Sequence, residues 1–248
     1  MSLLVYFLIG NYGSTGMLYG LDTWYLVLVI PALLLSLGAQ ALVKGTFSKY
    51  SQIGARGGFS GQAAARRILN QNGLTGIPIE RTSGQLTDHY DPRGQVLRLS
   101  ESTYDSTSIA AIGVAAHEAG HAIQHDEGYL PNRLRGLLTP VAQIGSSFGP
   151  YLAIFGILLS IPILTSVGIF LYAGAVLFYL ITLPVEFNAS HRAIRVLEDQ
   201  GLLTDEELGG AKKVLRAAAL TYVASTLVAF ASLLRLILLS RGRNDRRR

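Results

Sequence analysis

The chain has 248 residues, half of them apolar and only 15% charged, and its basic excess gives a net charge of +5. With a positive mean hydropathy, this profile excludes an ordinary soluble domain and fits a protein of the bilayer. Cysteine is absent, which excludes disulfides and thiolate metal ligands and suits a cytosolic catalytic side.

The first nine residues are mostly apolar but too short to span, with no basic start and no convincing small-residue cleavage site, so no cleaved signal peptide is expected. Trp24 to Val43 carries no charge and is close to the ~20 residues that a helix needs to cross a bilayer. A polar stretch follows from Lys44 to about Leu138. It opens with the glycine-rich loop Gly54 to Gly61, which lacks the Gly-Lys-Ser/Thr ending of a phosphate loop. Ser60 is placed to cap a helix that ends near Asn72-Gly73. Ile77 to Arg81 reads as an edge strand because Pro78 lies within it. Gln85 to Tyr90 and Gln95 to Leu99 read as a hairpin turning at Asp91-Pro92-Arg93-Gly94. Val96 to Leu99 is expected to offer an unpaired edge on which an extended peptide could lie.

Ser106 to Ser108 offer caps for the next helix, which carries His117-Glu118-Ala119-Gly120-His121 and stops at Gly128. Residues four apart share a helix face about 6 Å apart along the axis, so His117 and His121 can present two imidazoles to one ion. Glu118 beside them can take a proton from metal-bound water, whose pKa zinc lowers towards ~7. The bland alternative is a chance histidine pair on a polar face. Small neighbours at Ala115, Ala116, Ala119, Gly120 and Ala122 instead suggest a helix packed closely in a site. His125 lies four residues further on, but three such histidines stretch ~12 Å, too far to converge on one ion. It reads as a solvated residue or one that supports a ligand from outside.

Phe148 to Val185 is uncharged and long enough for two crossings, turning near Pro162 to Gly168. Such a hairpin returns the chain to the side of the histidine pair. From Gly128 to Val185 there is no Asp, Glu or His. The first downstream carboxylate is Glu186, expected in the first turn of a helix opened by Pro184. It is either the third ligand or a charge marking the interface; carboxylates at a membrane edge favour the ligand reading. Thr204-Asp205-Glu206-Glu207 is a capping-box start for a helix that becomes the apolar run from Ala217 onward and ends in the basic tail Arg241 to Arg248. Anionic headgroups, rather than nucleic acid, are the expected partner of that tail.

The runs Leu86-Thr87-Asp88-His89-Tyr90-Asp91-Pro92, Ala115 to His125 and Leu183 to Ser190 resemble the YugP-type membrane zinc metallopeptidases. The chain is more distantly similar to HtpX-type endopeptidases and prenyl-protein proteases. The resemblance, from about Gly58 to Ala231, implies one catalytic zinc on His117, His121 and Glu186, with Glu118 as general base and acid. Where the distant relatives tend to have Asp four residues after the ligand Glu, this chain has Ser190, so support by an acid cannot be carried over. His191 and His89 are the leading donors to an oxyanion, with surface histidines as the alternative. Asn188 could orient peptide backbone.

The resulting expectation is a mainly α-helical multi-pass membrane protein with a small α+β zincin-like catalytic domain. Its parts would be a first segment and span (1–43), a catalytic region (44–147), a membrane hairpin (148–185), the third-ligand and connecting helices (186–217), and a last membrane helix with basic tail (218–248). Basic residues flank the catalytic parts, while none precedes the first span or sits at the hairpin tip, which puts the site on the cytosolic face of the cell membrane. Four complete crossings would place the arginine tail opposite, a conflict with the same rule. The expected activity is a zinc endopeptidase acting on membrane-associated proteins or peptides. The alternative is a non-catalytic membrane scaffold that keeps a structural zinc.

Overall fold

The computed structural model describes residues 22–245, with side chains through Arg241; the first nine residues and the end of the basic tail lie outside this range. Four helices among the described residues are long and apolar enough to cross a membrane: Tyr25–Ser51, Leu130–Leu159, Pro162–Asp199 and Asp205–Arg241. The first begins as a π-helical turn, Tyr25–Val29, and continues as α1 (Ile30–Ser51). After it come α2 (Gly61–Gln71), β1 (Ile79–Thr82), β2 (His89–Asp91), β3 (Val96–Ser100), the short α3 (Glu101–Tyr104) and α4 (Ile109–Asp126). The chain ends with α5 (Leu130–Leu159), α6 (Pro162–Asp199) and α7 (Asp205–Asp245).

The helix starts follow their caps. Ser60 accepts from Ala63 N–H and Ser108 from Ala111 N–H, each satisfying a donor that the first helical turn leaves free. The Thr204 N–H donates to Glu207 and the Glu207 N–H to Thr204, closing the expected capping box. The α5–α6 turn falls at Ser160, which takes φ +64°, just before the expected Pro162.

Two compact units result. The described residues of one fall within Met1–Leu37, Leu137–Leu180 and Ala224–Arg248. Its small core holds Ala153, Tyr172, Ala175 and Leu236. Here α5 and α6 touch through backbone: a Cβ on Gly149 would stand 2.9 Å from the Gly168 carbonyl oxygen. Small residues permit that approach where apolar side chains gain nothing over lipid. Arg235 forms an ion pair with Asp22 at 2.6 Å, both side chains nearly buried, and lies over the Tyr25 ring.

The other unit comprises Gly38–Gly136 and Ile181–Val223. Its core packs α2 and the alanine-rich α4 against the sheet and segments of α6 and α7, with Ile68, Leu69, Leu97, Leu99, Ile112 and Leu197 fully buried. The strand order is β1-β3-β2, with β1 parallel and β2 antiparallel to β3. β1 is an edge, as Pro78 implied. The expectation of a free edge along Val96 to Leu99 fails: β3 is central and carries four buried residues of five, so both of its ladders are occupied. The exposed edge beside α4 is β2.

Candidate metal centre

α4 presents His117 and His121 on one face, with ring centroids 4.7 Å apart and edge-on. Glu186 arrives from α6. Contrary to expectation, Pro184 does not open a helix there: α6 runs unbroken from Pro162 to Asp199, and Glu186 sits well inside it. The preceding turn of a long helix therefore fixes its approach. Close packing sets the distance, since a Cβ on Gly120 would stand 3.0 Å from the Ala189 carbonyl oxygen.

The Glu186 carboxylate is 2% exposed, and its two oxygens have different surroundings. Oε1 accepts from Arg135 at 2.9 Å. Oε2 lies 3.3 Å from His117 Nε2 and 3.6 Å from His121 Nε2, yet has no hydrogen-bond partner. An unsatisfied buried carboxylate oxygen is costly. Ligands ~2.0–2.2 Å from a tetrahedral zinc stand roughly 3.4 Å apart, so the observed spacing suits a shared cation. The three ligand atoms lie within 4.8 Å of one another. Two imidazoles and one carboxylate are a zinc donor set that leaves a fourth position open, and these residues fit the ion.

Each imidazole is oriented from behind. His121 Nδ1 stands 3.0 Å from the Gln124 side-chain oxygen. Buried Gln124 in turn donates from Nε2 to the Val185 carbonyl and to Asn188 Oδ1, both at 2.9 Å. His117 Nδ1 stands 3.2 Å from Ser190 Oγ, so a hydroxyl occupies the place where the distant relatives tend to carry an acid. These contacts leave both Nε2 atoms for the metal. Burial disfavours a charged His121 ring, but the Glu186 and Glu118 carboxylates outweigh it and hold the pKa above the ordinary histidine value.

Glu118 Oε2 accepts from the Tyr90 backbone N–H of β2 at 3.0 Å. Tyr90 places its hydroxyl 3.0 Å from His125 Nδ1, so His125 supports the β2–α4 contact and lies outside the ligand group. His89 is exposed, with Nδ1 2.8 Å from the Thr87 carbonyl oxygen. His191 is exposed beside Arg195, at 2.9 Å. Neither joins the buried group. Asn188 Oδ1 is taken by Gln124 and by Arg192. Sequence reasoning missed Gln124 and Arg135, and also Tyr222, an electrostatic neighbour of Glu186 and Glu118. The three-residue step from His121 to Gln124 was a usable signal; nothing local marks Arg135 or Tyr222.

A family model described as "Putative neutral zinc metallopeptidase" matches residues 25–241. The chain is 49% identical over 215 residues to a Bacillus subtilis (strain 168) protein named "Putative membrane protease YugP", covering 87% of this chain and 96% of that one. No solved structure gives a significant match.

Proposed function

The chain belongs to the neutral zinc metallopeptidase family, and we propose that it is a membrane-embedded zinc endopeptidase cleaving membrane-associated proteins or peptides. The observation that carries this reading is the buried Glu186 oxygen aimed at two imidazoles without a partner of its own. When bound, zinc supplies Lewis acidity and makes water a nucleophile near neutral pH. His117, His121 and Glu186 hold the ion. Glu118 takes the proton of the attacking water on a carboxylate oxygen and delivers it to the leaving amine nitrogen. Edge strand β2 lies beside Glu118 and suits an extended substrate added as a further strand. His191 or His89 supplies the donor to the developing oxyanion. The basic residues around the catalytic parts favour the cytosolic face.

The Glu118→Gln variant tests the reading. It should retain stoichiometric zinc and lose at least about 10²-fold in peptide cleavage; undiminished chelator-sensitive cleavage would reject the role. Glu186→Ala should purify with little zinc, and full metal content would move the third ligand elsewhere. His191→Ala and His89→Ala separate the oxyanion donors: the one used lowers kcat at unchanged zinc content.

A further inference from the structure

Segments of α6 and α7 enclose a groove of about 460 Å³ whose apolar and cationic lining has no part in holding the metal. Phe187, Ile194, Leu215 and Leu220 make it apolar, while Lys212 and Arg216 supply positive charge along one wall. No carboxylate lines it. Among the described residues neither Lys212 nor Arg216 has an ion pair or hydrogen bond. Phe187 is 49% exposed and Leu220 46%, so large apolar side chains stand open beside unneutralised cations.

This combination sits where α7 changes character. Its charged first turns end at Arg216, and the uncharged run begins at Ala217. On α6, the lining residues follow directly on the uncharged stretch that ends at Val185. Along α7 the groove therefore passes from apolar, at Leu220 and Ala219, to cationic, at Arg216 and Lys212, as the bilayer passes from acyl chain to phosphate. Cations beside such an interface attract anionic headgroups.

We propose that this groove binds one anionic phospholipid of the bilayer, its acyl chain against Phe187, Leu215 and Leu220 and its phosphate on Lys212 and Arg216. A zwitterionic lipid brings the same phosphate together with a quaternary ammonium that offsets its attraction to the two cations, so the site discriminates by net charge. The groove borders the metal centre through Ser190, which lines it and also contacts His117, and it is lined as well by His191, one of the two proposed oxyanion donors. Lipid binding is independent of whether the centre hydrolyses peptides.

The test uses the full chain in nanodiscs holding phosphatidylglycerol as a minor component in phosphatidylcholine, followed by native mass spectrometry of the lipid retained. One phosphatidylglycerol per chain should be enriched about tenfold over its bulk share. K212E/R216E should return that ratio to bulk, and K212R/R216K should keep it. Equal retention of the two lipids by the unaltered protein would overturn the proposal. So would undiminished enrichment in K212E/R216E, which would put the lipid elsewhere. If the charge-reversed variant does not fold, a phosphatidylglycerol with a photoreactive acyl chain decides on the unaltered protein. Label is expected on peptides containing Phe187 to Ile194 and Leu215 to Leu220; labelling confined to other peptides counts against the groove.

Discussion

Glu186 divides its two oxygens between two tasks. Oε1 is held by Arg135, which leaves Oε2 facing the two imidazoles and fixes the carboxylate plane. Removing the guanidinium by Arg135→Met would free that plane, and zinc should be lost more readily to a chelator, with Arg135→Lys intermediate because it lacks the planar fork. Gln124 has a similar standing. It joins His121 to the Val185 carbonyl and the Asn188 side chain of α6 through three hydrogen bonds, and Gln124→Leu should weaken zinc binding by about 10–100-fold, measured by competition with a chromophoric chelator. The elevated pKa of His121 adds a pH dependence. In the metal-free protein the charged ring stabilises the fold below the ordinary histidine range, and this contribution fades as pH rises through the elevated pKa. Zinc needs the neutral ring, so its apparent affinity should climb over the same interval with release of a proton. Calorimetry in buffers of different ionisation enthalpy would detect that proton; its absence would mean that the ring is already neutral. The three members of the buried cluster were legible in the sequence because helical spacing and a carboxylate-free interval of 58 residues, Gly128 to Val185, isolate them. Arg135 was not, because an ion pair 51 residues apart in sequence leaves no periodic trace.

Helices, caps and spans were readable from local chemistry, and the places where the reading failed were tertiary. Pro184 looks like a helix start, yet α6 continues through it: an apolar setting leaves the backbone no better partner than its own ladder. The strand Val96 to Ser100 looks like any short strand. Only the pairing of both its sides, and the burial of Val96, Leu97, Leu99 and Ser100, reveals that it is the centre. The side of α4 that meets α6 depends on a missing side chain at Gly120. Gly120→Val would press methyl groups against the Ala189 carbonyl and should destabilise the protein by about 1–3 kcal/mol. Because that contact also seats Glu186, the zinc stoichiometry should fall together with the melting temperature. A variant that melts early but keeps full zinc would separate the two elements' roles.

At the scale of the whole molecule, composition alone announced the membrane, and four long apolar helices bear it out. The uncharged run of α7 stops at Leu234, and the helix continues through Arg235 to Asp245. Arg235 is buried because Asp22 meets it at 2.6 Å, and Asp22 also accepts from the Tyr25 N–H at the start of the first helix. Replacing Arg235 by Leu leaves a buried carboxylate alone and should cost about 3–5 kcal/mol, while the double change D22L/R235L should recover most of that loss. Thermal melts of the three variants in one detergent would measure the difference; equal losses for single and double changes would show that the two residues act separately.

The two imidazoles precede residues 137–180 and the carboxylate follows them, with that whole interval assigned to the other compact unit. A ribosome therefore delivers two of the three members before the hairpin and the last one after it. Until the nascent chain has extended past both arms of that hairpin, the three side chains cannot meet. Assembly order thus leaves the His-His-Glu cluster incomplete until the segment beyond the hairpin has been made.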